Sequence, residues 1–455
     1  MERSPSTGTI LEEARSIDVF GETDVVVVGG GPAGIGAAIA AARNGARTIL
    51  VERFGYLGGL ATGGLVLCIM PMSDGTSEQQ IAGICQEIID RLDTVGGAIH
   101  PNREDIGSDD KKLIDYWRRF PFTVIDGRII YSAQVDPEML KCVLNDMFEE
   151  AGGELLLHSW GCRAIVDDYK VKGIIFESKS GRQAILAKIV IDTTGDGDIY
   201  ASAGAEFDGT FDPKLRSAKQ AFVFRMSNID TDRFYNFKEN EKAKYAELMR
   251  ELTEKGGFPQ AIRCSRDDIM WFNNQLSDLS GLNVKDLTWI EVNGRKRMMI
   301  TYDFFKKNVP GFERCYLTDT ATQVGIRSSR RLIGEFIVTQ ENVISGTVYQ
   351  DTILEGPSFS GRISRHNPHI YVPYRCLIPA KIDNLLTAGR CVSADSMAIN
   401  ILSPIQFCIS TGQAAGTAAA MAVKNNITPR QVDYKELQAR LVSQGVPLKS
   451  VKANV

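Results

Sequence analysis

An α/β fold built on a parallel sheet is what three features near the start of the chain predict. Four consecutive valines, Val25–Val28, stand between Asp24 and Gly29. Gly29, Gly31 and Gly34 follow in G-x-G-x-x-G spacing, with Pro32 where a helix would begin. A second apolar run, Thr48–Val51, ends at the acid Glu52, 23 residues after Gly29.

Each feature has a physical reason. A short β-branched run between turn signals reads as a buried parallel strand. Gly29 permits a tight turn, Gly31 lets backbone approach a pyrophosphate, and Gly34 lets the helix lie close to the strand. Pro32 presets φ for a first helical turn. The small residues 33–42 then make a helix that can press on a sheet. The start of that helix offers free N–H groups and the positive end of a dipole to phosphates. Glu52 is placed to accept hydrogen bonds from a ribose 2′-OH. Strand, loop, helix, strand and acid in this register predict a Rossmann-like dinucleotide-binding unit.

At 455 residues the chain is too long for one core, so two or more domains are expected. A hydrophobic content of 44% and a charged content of 24% are ordinary for a soluble globular protein. A net charge of −4 gives no electrostatic reason to expect nucleic acid. Nine cysteines occur without a C-x-x-C pair, which suggests a reducing compartment and argues against a disulfide framework, zinc or an iron–sulfur cluster. No metal is therefore expected. No run reaches membrane-spanning length. The first 20 residues carry Glu2, Glu12, Glu13 and Asp18 and lack an apolar core, unlike a signal peptide. A cytoplasmic location is the expectation.

Further along, four glycines within residues 58–64 make a loop whose backbone can run against a flat ligand. Ile81, Ile84, Ile88, Leu92 and Val95 recur at helical spacing between residues 78 and 95. Residues 96–130 read as a polar, irregular insertion. Asp136-Pro137 reads as an N-cap followed by Pro at N1, opening a helix that Gly152-Gly153 end. Leu155–His158 predicts a strand, residues 163–177 a hairpin around Asp167-Asp168, and Ala187–Ile191 a strand running into the Gly/Asp turn 192–198. Residues 205–370 mix aromatic and charged positions and predict a separate, mostly antiparallel substrate domain. Asn384–Ala388 is one more strand, followed by Gly389-Arg390. Ser403-Pro404 reads as N-cap and N1 of a helix running to about Lys424, with small residues from Gly412 to Ala419. Asp433 and Glu436 suggest a capping box for a last helix, 434–444.

The segments 25–52, 58–64, 191–198, 385–390 and 403–420 resemble the FAD-dependent oxidoreductases of the glutathione-reductase nucleotide-binding type. Within them, the resemblance is to the branch that includes fumarate reductase flavoprotein and L-aspartate oxidase. It implies an α/β architecture with a discontinuous, Rossmann-like FAD-binding domain (21–66, 131–204 and 373–425) around a central parallel sheet. An inserted α+β substrate or cap domain would take 67–130 and 205–372, and a helical tail 426–455. The turn Gly29, Gly31, Pro32, Ala33 and Gly34 would hold the FAD pyrophosphate, Glu52 the adenosine ribose, and Arg53 would flank it. Gly59, Ala61 and Thr62 would run along the isoalloxazine. Backbone near Gly161 and Cys162 would meet adenine. Gly195 and Asp196 would lie near the middle of the cofactor, and Gly389 and Arg390 beside the ribitol or pyrophosphate. The amides of Ile405 and Gln406 would face N1 and O2 of the flavin, where a positive helix end favours the reduced form.

Flavin would perform the hydride chemistry, and the protein would orient a small-molecule substrate and move protons. His366 and His369 are candidates for general acid or base, against the plainer reading that each caps a turn around Pro368. Arg327, in a run that also holds Arg330 and Arg331, has the planar fork to clamp a substrate carboxylate, against an ordinary salt bridge. A dehydrogenase or reductase is the first expectation and a flavin monooxygenase or oxidase the second. A cofactor-free binding protein of the GDP-dissociation-inhibitor kind is the third. A homodimer is the default assembly.

Overall fold

The computed structural model describes residues 8–357 and 369–452. The chain begins with β1 (Asp18–Val28), α1 (Pro32–Arg43) and β2 (Thr48–Val51). After α2 (Ile84–Thr94) and α3 (Pro137–Glu150) come β3 (Glu154–Leu156), β4 (Trp160–Asp167), β5 (Lys170–Ser178) and β6 (Gly181–Asp192). The middle of the chain holds β7 (Gln220–Ser227), β8 (Ile262–Arg263), β9 (Met270–Leu276), α4 (Val284–Asn308), β10 (Tyr316–Thr320) and β11 (Gly325–Ile326). The last elements used below are β12 (Thr352–Pro357), β13 (His369–Pro373), β14 (Leu385–Thr387) and α5 (Ile405–Asn425).

The central sheet has seven strands in the order β3-β2-β1-β6-β5-β4, with β14 also paired to β6. Pairings among β3, β2, β1, β6 and β14 are parallel; β5 and β4 add antiparallel to β6. The antiparallel pair covers β6 from Gly181 to Leu186, and β14 covers it from Val190 to Asp192. The valine run splits by strand alternation. Val25 and Val27 pack with Leu50, α1 and α5, while Val26 and Val28 face Ile199 and Tyr200 on the other side.

Helices α1 and α5 lie with their backbones in contact. A Cβ at Gly412 would sit 2.0 Å from Ala33 O, one at Gly416 2.0 Å from Ala37 O, and one at Gly36 2.2 Å from Ile409 O. The small residues of α5 are thus answered by a second small-residue helix. Residues of α2, β12 and β13 share this core.

A second, five-stranded antiparallel sheet runs β8-β9-β7-β10, with β11 also on β7. One face packs on α4 through Phe222, Phe224 and Phe272. The other, with Ala221, Val223 and Trp271, packs on Leu65, Leu67 and Cys68.

Several boundaries differ from the sequence reading. Helix α2 starts at Ile84 because Gly83 stands at φ +63° and ψ −139°, which no helix residue adopts; Ile81 precedes it and Val95 closes it. Residues 96–130 are not wholly irregular: Asp110 caps a helix at Lys111–Trp117, and Ile114, Trp117, Phe120 and Ile129 form a small core. The sequence reading of 205–370 as mostly antiparallel missed the 25-residue α4, whose Ile290, Gly294, Met298, Thr301 and Phe305 are buried at spacings of three and four. Ser403 closes a short helix, Ser396–Leu402, and Pro404 is the N-cap of α5. No helix among the described residues is long and apolar enough to cross a membrane.

Candidate functional site

A cleft opens at the carboxyl ends of β1, β2 and β6. Sequence-distant segments line it: Gly29, Gly31 to Ala33, Glu52 to Phe54, Gly59 and Leu60, Ser159 to Gly161, Thr193 to Gly195, Ala388 to Arg390, and Ser403 with Ile405. Gln323, Val324 and Ile326 reach it from the second sheet.

The glycine turn is held by its neighbours. Gly29 stands at φ +101°, a conformation costly for any residue with a Cβ. Thr193 Oγ1 donates to Gly29 O at 2.8 Å and to Val28 O at 2.9 Å, tying β1 to the turn after β6. A Cβ at Gly34 would sit 1.7 Å from Gly29 O, so Gly34 lies under the turn and not on the lining. A Cβ at Gly31 would meet no heavy atom within 4 Å, because that position faces the open cleft.

Two helix starts reach this space. The N-cap of α1 is Gly31 and that of α5 is Pro404, and neither supplies a side-chain acceptor. Asp136 and Asn283 do so for α3 and α4. The first amides of a helix have no partner within it, so α1 and α5 carry free donors and positive dipole ends to one cleft.

Glu52 ends β2 and is 5% exposed. Its Oε2 accepts from Gly30 N at 2.6 Å and its Oε1 from Phe54 N at 2.7 Å. Burial pushes its pKa up, against the pull of these amides and of Arg53. Arg53 lies on the lining, its guanidinium 4.8 Å over the Phe54 ring. Gly161 also lines the cleft; Cys162 does not, and its Sγ donates to Trp160 O.

The 58–64 loop presses on the glycine turn: a Cβ at Gly59 would lie 2.9 Å from Gly31 Cα. Gly59 and Leu60 reach the lining. Ala61 belongs to the core beneath α5, and Thr62 Oγ1 is spent on Leu57 O at 2.6 Å. Gly195 lines the cleft, while Asp196 Oδ1 accepts from Ser329 Oγ at 2.6 Å and from Arg390 Nη2 at 2.8 Å. Asp196 thereby orients Arg390, which with Gly389 is on the lining. Ile405 is on the lining and Gln406 is fully buried off it. Asp192 shapes the same corner. It accepts from the amides of Thr194, Ile199 and Tyr200 and from Thr194 Oγ1. Burial pushes Asp192 up to about 6.

His366 lies outside the described residues. His369 is not on the lining: its Nε2 stands 3.0 Å from Asp74 Oδ2 and its Nδ1 3.2 Å from Glu355 Oε1. The two carboxylates hold it protonated, pushing its pKa up to about 9. Arg327 adjoins the lining residue Ile326, and its Nη2 donates to Asn273 Oδ1 at 3.2 Å.

Thr193, Ser159, Trp160 and Ser403 are lining residues to which sequence reasoning assigned no ligand role. Thr193 stood inside the Gly/Asp motif and the next two beside Gly161, so proximity was the available signal. Gln323, Val324 and Ile326 had none, since folding alone brings the second sheet to the cleft.

An open glycine face, two uncapped helix starts and a buried acid at the end of β2 fit an elongated, anionic dinucleotide. Arg390 Nη1 and Gln323 Nε2 add buried donors without a partner among the described residues. The family described as FAD dependent oxidoreductase matches residues 24–441. No curated protein matches the chain. Solved structures of similar fold include p-nitrophenol 4-monooxygenase PnpA from Pseudomonas putida DLL-E4, 13% identical over 95% of this chain and 92% of that one, with a TM-score of 0.47. A geranylgeranyl bacteriochlorophyll reductase-like protein from Thermoplasma acidophilum is 16% identical over 93% of this chain and 82% of its own, with a TM-score of 0.44. Glycine oxidase from Geobacillus kaustophilus is 11% identical over 89% and 95%, with a TM-score of 0.40. Likenesses this distant carry no argument about the reaction.

Proposed function

We propose a dehydrogenase or reductase reaction on a small organic substrate for this chain, which belongs to the family of FAD-dependent oxidoreductases. The protein is an enzyme and its cofactor is FAD. When bound, FAD supplies a ring that takes up or gives back a hydride, two electrons at a time. The observation that carries the proposal is the meeting of α1 and α5 at one cleft with no side chain capping either.

The chain's own groups would divide the work. Gly31 and the first turn of α1 would hold the pyrophosphate, and Glu52, fixed by two amides, would meet the ribose with its remaining lone pairs. Arg390, aimed by Asp196, would add a cation at the middle of the cofactor. The start of α5, with Ile405, would stabilise negative charge on the ring by its dipole and free amides. Gln323, Val324 and Ile326 would form the wall on which a substrate rests and would keep water from it. The resemblance of the motif segments to fumarate reductase flavoprotein and L-aspartate oxidase supports hydride transfer over oxygen insertion.

The test is anaerobic. Purified protein is expected to be yellow, and its flavin absorbance to bleach with one class in a panel of alcohols, amines and acids. A colourless protein that takes up no added FAD would refute the reading. Bleaching confined to a nicotinamide donor, followed by rapid oxygen uptake with substrate hydroxylation, would replace it with a monooxygenase.

A further inference from the structure

We propose that the outward face of α4 binds the surface of an anionic lipid bilayer, so that the protein docks on a membrane without crossing it. This interaction lies beyond the flavin reading and is independent of it.

Helix α4 is held along one side. Ile290, Met298 and Phe305 pack with the phenylalanines of the second sheet. A Cβ at Gly294 would lie 2.4 Å from Phe222 Cδ2, so the helix sits close on that sheet. One flank is tied to the turn after the helix Lys242–Glu254. There Arg297 Nε donates to Gly256 O at 2.7 Å, and Thr301 Oγ1 accepts from Phe258 N at 2.7 Å. A helix anchored in this way ordinarily turns charged and polar residues to water. The outward side of α4 departs from that rule. Trp289, Val292, Met299 and Ile300 are 46%, 49%, 43% and 37% exposed. With 3.6 residues per turn they share an arc of about 100° with Lys296, on the side away from the buried row, and extend for about 16 Å along the helix. Single exposed apolar residues need no explanation, but a row of them at helical spacing marks a contact surface.

Charge identifies what covers it. Lys285, Lys296 and Lys307 stand on the same arc, with Asp303 as the one acid among them. None of the three lysines forms an ion pair among the described residues. The chain as a whole has 52 lysines and arginines against 56 acids, so this surplus is local. A basic, amphipathic helix face of this kind suits an anionic lipid surface. The lysine heads can reach lipid phosphates while their stems and the apolar row sit at the headgroup boundary. Tryptophan fits that boundary because its ring is apolar and its N–H is polar. The row lies on the convex side of a helix already held along its back, so a flat surface reaches all of it at once. A second copy of this chain is opposed by the same charges. Antiparallel pairing about Lys296 would set Lys296 against Lys296 and Lys285 against Lys307, like against like.

The purified protein is mixed with vesicles of phosphatidylcholine, with and without phosphatidylglycerol, and bound protein is read by flotation. Binding is expected only with phosphatidylglycerol, and it should fall as salt is raised. Lys285→Gln, Lys296→Gln and Lys307→Gln are each expected to weaken it by about fivefold. Trp289→Gln is expected to weaken it by about tenfold. All four positions are exposed, so the melting temperature and flavin content should stay at the parent's values, whereas loss of a structural residue would move them. No binding to anionic vesicles, equal binding to both kinds, or equal binding by the variants would overturn the proposal. A dimer in sedimentation velocity that Trp289→Gln dissolves would overturn it in favour of a second copy. Binding to polyglutamate but not to vesicles would overturn it in favour of an acidic protein. Should the variants fail to fold, wild-type protein decides: phosphatidylglycerol with brominated acyl chains is expected to quench its tryptophan fluorescence, and unchanged emission overturns the proposal.

Discussion

Replacing Gly31 by alanine separates the fold from the cofactor more cleanly than any other single change. Gly31 sits at φ −70° and ψ −173°, extended backbone open to any residue, and its Cβ would meet nothing within 4 Å. Alanine there costs the empty protein no contact and narrows the unfolded ensemble, a gain of about 0.4–1 kcal/mol. The same methyl stands where the pyrophosphate of FAD would approach the backbone. Forcing one extra carbon into a filled contact costs about 1–3 kcal/mol, or roughly 5- to 150-fold in affinity at 1.4 kcal/mol per decade. The two signs oppose: the FAD-free protein should melt slightly higher and the FAD complex should dissociate more readily. Differential scanning calorimetry of stripped protein and flavin-fluorescence titration read them separately. Gly34→Ala is the contrast, since its Cβ would lie 1.7 Å from Gly29 O and must disturb the empty fold as well. If Gly31→Ala bound FAD as tightly as the parent, the open space before Gly31 would not be the pyrophosphate site and the reasoning would fail.

Glu52→Ala strands the amides of Gly30 and Phe54, which should cost about 1–3 kcal/mol of stability before any cofactor is added; an unchanged melting temperature of stripped protein would contradict this. Gly416→Ala inverts the usual helix preference for alanine. Its Cβ would lie 2.0 Å from Ala37 O, so urea unfolding should show a loss of about 1–3 kcal/mol by overpacking, and a gain would mean that α1 and α5 are not in backbone contact. The His369 cluster should give stability a pH dependence. The folded pKa of His369 is raised from 6.5 to about 9, so its contribution is complete below the lower value and lost as pH climbs through the upper one. Asp74 and Glu355 are lowered, so their share is present above their ordinary range and lost as pH falls. Taken as one unit the cluster is worth on the order of 3 kcal/mol. His369→Phe should flatten the alkaline limb of a stability–pH curve, and an unaltered limb would remove the cluster as its cause.

Much of the nucleotide end was legible because its signals are local. A tight turn, a helix start and an acid at a strand end each act within a few residues, and Gly29, Pro32 and Glu52 could be read in place. Off-lining positions such as Thr62 and Asp196 were harder, since their motifs do not say which way a side chain turns. Thr62 is claimed by Leu57 O and Asp196 by Ser329 and Arg390. Helix α2 was misjudged at its start because hydrophobic spacing continued through a glycine whose backbone angles forbid the helix.

The order of residues alone determined the valine strand, the glycine turn and the small-residue helices, because period, backbone freedom and side-chain volume are properties of short segments. Folding decided which distant segments share a wall: Ile326 and Gly29 line one cleft, and α5 is delivered to the turn that begins α1. Those pairings depend on how sheets and helices stack over hundreds of residues, where burial is settled by shape and counter-charge rather than by neighbours in sequence.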